Sequence, residues 1–566
     1  CSGVDNMSSS YLTLTLLVIC LILGLSAEKT LTNIPANAPA SPGLRFLLEN
    51  SGLNQIMTDA LPELTKQIQD TPFQDLNLTQ HVGIVGNVDI QLTNIHIAQL
   101  DIQSIQATFK TPNLVSVSTQ GVTVQIKLDF SFRQQSWPHT SGSGDIEADC
   151  TGASMGVTVS TSVSPKDAGK PHFNADDVQA SLGQMKIHIH GGGSVGWLLS
   201  ALEGLFQTQI KGSIEQQLKQ TLTQTVNVQI NNQIDQTPFV ITVPVDPLHT
   251  SLDIDLSLTS APSVVQGIAT SLILDTKAET YISGKHIEPP FQPVPLPKDV
   301  SSADTDFALY VTQWIGNAAV WQLFQAGALK YRLTNDLVPP ESPIHLNTTD
   351  LKNYIPELYA KFPNQLVVID IAANQAPSVS FGSSVTTEIN ATLTFSVVDP
   401  KQGSLQEAFV VSTYLAGSVS GFTVKASTTG TALNVTGTLD PFKISIKLDK
   451  TDIGDVDMGR IQNTINILLN YGIREYVNQK LQKGYVVDLP KGLKVSNVVF
   501  KFETGYLALG GKVTYAPPQG SALYAFKRRV FMSQMEREIL AKYECDEGLN
   551  YRRLECQPLW DLYYGK

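Results

Sequence analysis

The sequence predicts an α+β chain built twice, each half a twisted antiparallel sheet with two long amphipathic helices laid along it. Three observations carry this prediction. Apolar residues recur at steps of three and four over 41–70 and over 184–235, which puts one greasy stripe along each of two helices. Between those stretches the period falls to two, with Thr, Gln, Asn and Ser at the intervening positions, the pattern of strands with one dry and one wet face. The same order of helix, strands and helix then returns after a proline-rich strap.

The chain opens with residues 1–6, which precede Met7 and read as upstream translation. Tyr11–Ala27 is apolar, too short for a comfortable membrane span, and closed by small residues. Residues 1–27 are therefore expected to be upstream sequence and a cleaved signal peptide, although no Lys or Arg stands ahead of the apolar run. No other run approaches transmembrane length, so the mature protein is expected to be secreted, extracellular or lumenal. The sequons at Asn77, Asn347, Asn390 and Asn434 agree with that route as candidate glycosylation sites. Cys1 and Cys20 go with the leader, and Cys150, Cys545 and Cys556 form neither a disulfide framework nor a zinc site. With 42% hydrophobic and only 16% charged residues, stability must come from buried area. The net charge of −12 opposes anionic partners at long range, and no basic patch interleaved with aromatics speaks for nucleic acid.

An N-terminal domain is expected over 28–283. Its first helix, Ser41–Asp70, carries Leu53, Ile56, Met57, Ala60, Leu61, Leu64 and Ile68 on one face, with Pro62 as a kink. Alternation at 88–92, 122–130 and 157–159 predicts strands, as it does over Ser251–Thr259 and Ser271–Ile282. Asp253 and Asp255 fall on the wet face of their strand in this reading. The second helix bears Val195, Leu198, Leu202, Leu205, Phe206, Ile210, Ile214, Leu218 and Leu222. The prolines of 284–298 impose an extended, semi-rigid linker.

A C-terminal domain over 299–515 repeats the plan. An aromatic helix (Trp314, Ile315, Val320, Trp321, Phe324, Leu329) leads into strands at Leu366–Ile371, Ile389–Val397, Val435–Leu439 and Ile444–Leu448. A long helix, Asp457–Gln482, follows with Ile461, Ile465, Leu468, Leu469 and Ile473 on its stripe. Residues 516–566 differ in composition and read as an extension with a short helix over 531–543. There Lys527–Arg529 allows a solvated basic turn or a cleavage site, and Cys545 and Cys556 allow a small disulfide loop or free thiols.

The turn between the 185–190 strand and the second helix matches three catalytic signatures at once. Gly192-Gly-Ser194-Val-Gly196 fits a nucleophile elbow, His190-Gly-Gly-Gly193 an oxyanion loop, and Gly191-x-Gly193-x-x-Gly196 a dinucleotide fingerprint. One turn cannot serve all three chemistries. Glycines that let the chain reverse, with Ser194 as helix cap, account for the same residues without the strand–helix alternation those motifs require. A serine hydrolase at Ser194 is thus the distant alternative, no catalytic residue is assigned, and no cofactor is expected. His188 and His190 share one strand face without a third ligand, so they read as solvent-face histidines and no metal site is assigned.

The stripes are wider than one sheet face covers. Either helices and sheet fill each other, or an apolar slot remains between them that takes a lipid chain. In that second case the contacting residues are Ile56, Leu61 and Leu64; Trp197, Leu198, Leu202, Leu205 and Phe206; and Trp314, Val320, Phe324, Ile465 and Leu468.

Residues spread over both halves favour the slot. Ile187-His-Ile-His190 with Val195-Gly-Trp-Leu198, Pro289-Pro-Phe-Gln-Pro293, Ala326-Gly-Ala-Leu329, Leu333-Thr-Asn-Asp336, Pro356-Glu-Leu358, Lys361-Phe-Pro363, Val477–Gly484 and Asn497-Val-Val499 stand in the order found in one family. In this order the chain resembles the family of bactericidal/permeability-increasing protein, lipopolysaccharide-binding protein and the cholesteryl ester and phospholipid transfer proteins. The resemblance implies an elongated boomerang of two similar domains, each a twisted antiparallel β-barrel with two long helices, joined by a central sheet and the proline-rich linker. It also implies an apolar phospholipid pocket in each domain. The function so implied is a secreted lipid-binding or lipid-transfer protein, expected to be a monomer; binding of bacterial lipopolysaccharide or a membrane surface in innate defence is the alternative, and a purely structural scaffold a further one.

Two features depart from that family. The disulfide expected near the second helix is missing, since 170–180 and 204–226 contain no cysteine. The hairpin matching the basic lipopolysaccharide-binding tip, Asp129–Thr140, has Arg133 as its only permanent cation. Trp137 in that hairpin allows an interfacial anchor or a packed loop residue.

Overall fold

The computed structural model describes residues 41–71, 73–191, 203–205, 209–245, 250–297, 304–338, 344–467, 469–470, 474–489 and 492–516. The expected signal peptide, Ser194 with its glycines beyond Gly191, Trp197, Leu198, Leu202, Phe206, Leu468, Lys527–Arg529, Cys545 and Cys556 lie outside these residues.

The chain enters the described structure as a strand where a helix was expected from residue 41. In β1 (Leu44–Glu49) the side chains of Phe46, Leu47 and Leu48 are all buried. Phe46 stands between Leu274 on one neighbouring strand and Leu309 on the other. Both partners lie more than two hundred residues away in sequence, so the hydrogen bonds that make β1 a strand have no local signature. β1 is an inner strand of a six-stranded sheet whose order is Ser263–Gln266, Thr270–Thr276, β1, Phe307–Thr312, Tyr506–Tyr515, Leu493–Glu503. Strands from both halves of the chain build this central sheet.

Helix α1 (Asn50–Gln69) follows at once, burying Leu53, Ile56, Met57, Ala60 and Leu64 at the three- and four-residue steps of its stripe. It lies on the N-terminal sheet, made of β2 (Leu76–Val82), β3 (Gly86–Lys110), β4 (Leu114–Gln134), β5 (Ser141–Val163) and β6 (Pro171–Ser181) in that order, with β7 (Gln184–Gly191) also on β5. In β4 the residues Val122, Val124, Ile126, Leu128, Phe130 and Phe132 are buried and their neighbours are largely exposed, so the alternation read from sequence is the alternation of the sheet. β6 and β7 share the edge of β5, pairing with 154–163 and 144–151 respectively. Gly191 closes β7 at φ +91°, with the backbone of Ser143 and Gly144 where a Cβ would sit, which only glycine tolerates.

The second helix is described from residue 209 to 236, as α2 (Lys211–Gln224), a π-helical stretch Thr225–Ile230 and a last turn Asn231–Gln236. Ile210, Ile214, Leu218, Val226, Ile230 and Ile234 are all buried on one side. Their four-residue spacing drifts by about 40° per step around a regular α-helix. The wider π turn takes up part of that drift and keeps the stripe on the sheet.

The C-terminal half repeats the N-terminal one strand for strand at its centre. Strands Val367–Ala373, Val385–Val398 and Leu405–Ala426 are sequential neighbours, and Leu405–Ala426 shares its far edge between Ala432–Leu439 and Lys443–Thr451, as β5 does between β6 and β7. Leu405–Ala426 was not legible as a strand because Gly417, Gly421 and three serines interrupt its alternation. Helices Trp314–Gln325, Met458–Ile467 and Arg474–Lys483 accompany this sheet.

The helices are fastened by amide side chains to strand backbone that has no neighbouring strand on that edge. Asn54 makes two hydrogen bonds to the backbone of Ala107 and Asn50 accepts one from Phe109 N–H. Asn231 makes two to Phe173 while Asn227 accepts from Ala175 N–H. Asn317 makes two to Val379 while Gln313 accepts from Phe381 N–H. In each case the two amides are one helical turn apart and the strand residues two apart, so successive outward-facing backbone groups of one strand are served by one helix face. Asn478 makes the same double contact with Leu439. This recurrence in both halves is the structural form of the duplication.

The strap is neither helix nor strand over 286–297 and is held at several points along its length. Gln322 Nε2 donates to Ile287 O, Phe291 meets Trp314 edge-on at 5.4 Å, and Arg45 donates to Pro297 O at 2.7 Å while forking onto Asp275. Leu296 is buried with Leu47, Ile273, Ala308 and Tyr310 of the central sheet.

Asp253 and Asp255 are not on a wet face. They are 2% and 1% exposed, on the middle strand (Thr250–Asp255) of a three-stranded sheet with Val240–Val245 and Glu279–Ile282. Asp253 accepts from the hydroxyls of Thr242 (2.6 Å) and Ser283 (2.8 Å); Asp255 accepts from Ser257 N–H and pairs with buried Lys277 at 3.2 Å. Partners from three separate segments satisfy these carboxylates, which is the condition for burying them.

Candidate functional site

Between α1, the N-terminal sheet and the end of α2 lies an apolar slot. Leu53, Met57, Leu61, Leu64 and Ile68 of α1 form one wall, and Ile102 and Ile105 of β3, Val115 and Val117 of β4 and Met155 and Val157 of β5 form the other. Leu222 of α2 closes one side. The space amounts to about 700 Å³ when the open solvent at its mouth is included. Its lining draws on two cores: one holds Phe46, Ile56 and residues of the central sheet, and the other holds Ile126 and Phe130 of the N-terminal sheet with Leu205, Ile214 and Leu218 packed on them.

Among the described residues the lining holds no titratable side chain. Its one hydroxyl, Thr119, donates to Met155 O (3.1 Å) and accepts from Met155 N–H (2.9 Å), so it offers no free polar group to a ligand. Gly156 leaves the β5 wall without a side chain beside Met155. Such a surface can bind only by excluding water from hydrocarbon, at about 0.8 kcal/mol for each methylene buried.

Of the sequence candidates, Leu61 and Leu64 line this slot. Ile56 shares their helix but turns into the adjacent core with 0% exposure, and Leu205 is buried with Ile210 and Ile214 under the second helix. Trp314 is buried against Phe291 of the strap, Val320 and Phe324 are half-buried on the same helix, and Ile465 is packed with Phe395 in the C-terminal core. The sheet-side residues Ile102, Ile105, Val115, Val117, Met155 and Val157 were not among the candidates. Their signal was the dry face of the alternating strands, which marks burial without telling core from slot.

Other candidates are placed as follows. His188 and His190 are exposed, His188 lying 3.7 Å from Asp149, and among the described residues no group of three or more His, Cys, Asp or Glu is placed to hold a metal. Cys150 is buried on β5, where desolvation pushes its thiol up to about 11, the opposite of an activated nucleophile. Asn77 is exposed on β2. Asn347 caps a short helix, accepting from Asp350 N–H and donating Nδ2 to its carboxylate, Asn390 is half-buried in Val385–Val398, and Asn434 Oδ1 is enclosed beside Gly484.

Two family models match the chain: the N-terminal domain of the LBP / BPI / CETP family over residues 52–232, and the C-terminal domain of the same family over 247–515. The chain belongs to the LBP / BPI / CETP family. Its relatives include a bactericidal permeability-increasing protein of Sebastes schlegelii, 22% identical over 88% of this chain and all of the relative, and a lipopolysaccharide-binding protein of Rattus norvegicus, 24% identical over 86% and 96%. A solved structure titled crystal structure of lipopolysaccharide binding protein superposes with a TM-score of 0.54 at 19% identity, covering 85% of this chain and all of the other. That likeness shows the fold: two domains of curled antiparallel sheet with helices, as the sequence resemblance implied. The family is one of lipid- and lipopolysaccharide-binding and transfer proteins.

Proposed function

We propose that this protein binds a phospholipid-like amphipathic lipid with its acyl chains in the slot between α1, α2 and the N-terminal sheet, and acts as a lipid carrier. The observation that carries this reading is a lining of Leu, Ile, Met and Val from five elements, in which the hydroxyl among the described residues, that of Thr119, is already satisfied. Among the described lining residues a headgroup has no charged anchor, so the slot selects for chains and leaves the headgroup at the mouth.

The domain division supported by this reading is 28–283, a linker over 284–298, and 299–515, with 516–566 as an extension. The second half would offer a comparable site near Trp314, Val320, Phe324, Ile465 and Leu468. Secretion as a monomer, with glycosylation at Asn77 ahead of the more enclosed Asn347, Asn390 and Asn434, and a Cys545–Cys556 loop belong to the same proposal. Among the described residues no helix is long and apolar enough to cross a membrane.

Organic extraction of the purified protein followed by mass spectrometry tests the reading. Recovery of stoichiometric two-chain lipid is expected; a lipid-free protein that takes up none on incubation with phospholipid would refute it. Lipopolysaccharide is the second ligand, favoured by the names of the relatives, and competition between it and phospholipid in the same assay decides between them. The protein is proposed not to be an enzyme: Ser194→Ala should leave lipid uptake unchanged, and a fluorophosphonate probe should not label Ser194.

A further inference from the structure

Among the described residues of the second helix, Leu222 is the one that lines the slot, and it stands between two fastened ends. On the N-terminal side Glu215 accepts from Leu182 N–H (2.8 Å) and Gln217 from Gln74 N–H (3.0 Å), while Ile214 and Leu218 are buried. On the C-terminal side Asn231 makes its double contact with Phe173. There Lys170 Nζ also donates to the carbonyls of Asp235 (2.7 Å) and Thr237 (2.9 Å) at the helix end. Between these anchors, among the described residues, no side chain of 219–224 bonds to a strand. The Thr223 hydroxyl turns back to Lys219 O (2.8 Å), and Leu222 is half-buried.

The π-helical stretch Thr225–Ile230 follows directly. A π turn closes its hydrogen bonds over five residues where an α turn uses four, so it holds a spare residue, and such turns gather at functional places. The clasp on the sheet does not demand it, because Asn50 with Asn54 and Gln313 with Asn317 make the same paired contacts from other helices. The counterpart helix of the second half is also π-helical at 469–470, where Asn470 accepts from Phe442 N–H (2.9 Å). The spare residue can stand on either side of Leu222 while the anchors at Glu215 and Asn231 stay in place. Standing after the leucine, as it does here, it leaves Leu222 on the face of Ile214 and Leu218, closing the slot. Moved ahead of the leucine, it shifts Leu222 by one helical position, about 100° around the axis and about 1.5 Å along it.

We propose that Leu222 is the gate through which lipid enters and leaves the slot, and that migration of the wide turn past it swings the gate. The inference rests on the slot as the lipid site and adds how that site opens. The leucine's own apolar contact with the slot holds the gate shut, so opening costs part of one buried side chain. Acyl chains then pass while α1 keeps its fastening to β3 through Asn54 and Ala107.

Uptake of pyrene-labelled phosphatidylcholine by the intact protein from self-quenched vesicles tests the gate, read both as a rate and as the amount bound at saturation. Leu222→Ala removes the seal and should raise the rate about fivefold or more, with saturation unchanged. Deletion of Gln224, which is exposed and outside the anchors, removes the spare residue and locks the leucine in place. It should slow uptake about fivefold or more, leave saturation and thermal midpoint at the parent's values, and lower deuterium uptake over 222–226. Rates equal to the parent's in both variants overturn the gate and leave the slot standing, whereas a parent that takes up no lipid overturns both. Loss of bound lipid at saturation in Leu222→Ala would make the leucine a holding contact and overturn the gate. A lowered thermal midpoint in the deletion variant would show that the fold itself requires the wide turn, and overturns the proposal as well.

Discussion

Asn54 holds both backbone groups of Ala107: its Nδ2 donates to the carbonyl at 2.7 Å and its Oδ1 accepts from the N–H at 2.9 Å. Ala107 is fully buried, so nothing else can serve those groups once the amide is gone. The contact fixes α1 against β3 at one end of the slot. Asn54→Ala should therefore destabilise the protein by about 1–3 kcal/mol for each group left unpaired. It should also raise deuterium uptake at Ala107 and Phe109 in hydrogen exchange. Uptake equal to the parent's at these two amides would mean that the clasp does not hold the edge.

Met155 and Val117 both line the β4–β5 side of the slot and are only half-buried, Val117 lying opposite Val157 and the Met155 backbone bonding Thr119. Met155→Asp should abolish uptake of phospholipid, because a carboxylate in an apolar slot costs several kcal/mol unless it stays wet, and a wet slot does not hold chains. Met155→Trp should reduce uptake by filling the space. Binding of labelled phospholipid to the folded variants checks both. Undiminished uptake by folded Met155→Asp would move the lipid elsewhere.

Glu279 lies opposite Asp255 in the three-stranded sheet and bonds His286 Nε2 at 2.8 Å. Burial pushes its carboxyl above the ordinary range, against the opposing pull of His286 and with Asp255 adding to the rise. The folded state thus binds this proton more tightly than the unfolded state. The stabilisation it contributes is fully present below the unfolded carboxylate value of about 4.3 and is lost as pH rises through the higher folded value. Glu279→Gln, which keeps an acceptor for His286, should gain on the parent in thermal midpoint as pH is raised from about 4 to 7. A constant difference across that range would show that Glu279 titrates as if exposed.

Tyr515 N–H donates to Asp59 of α1 at 2.8 Å, and Ala516 N–H to Gly492 O at 2.7 Å. Tyr515 itself is buried. Removal of everything after Ala516 should leave the thermal midpoint and lipid uptake unchanged, whereas removal from Tyr515 should lower the midpoint. A truncation after Ala516 that fails to fold would place the extension within the body of the protein.

The sequence by itself determined the elements whose stabilisation is periodic. Leu53, Met57, Leu61, Leu64 and Ile68 had to share a helix face, and Val122 to Phe130 a sheet face, because those spacings return side chains to one side. The repetition of that order across the strap was legible for the same reason, whereas the family was legible as a resemblance carried by the order of its short motifs. Tertiary structure alone decided what no local spacing encodes. It made 44–49 a strand through partners at 271–276 and 307–311, buried Asp253 and Asp255 by bringing hydroxyls and Lys277 to them, and turned Asn54, Asn231 and Asn317 from polar helix residues into edge clasps. It also sorted one apolar stripe into core and slot, with Ile56 in the first and Leu61 and Leu64 in the second. Hydrophobic periodicity states that a side chain leaves water; whether it meets another side chain or an open space depends on how far apart the long strands and helices are held, and that distance is set by contacts hundreds of residues away in the chain.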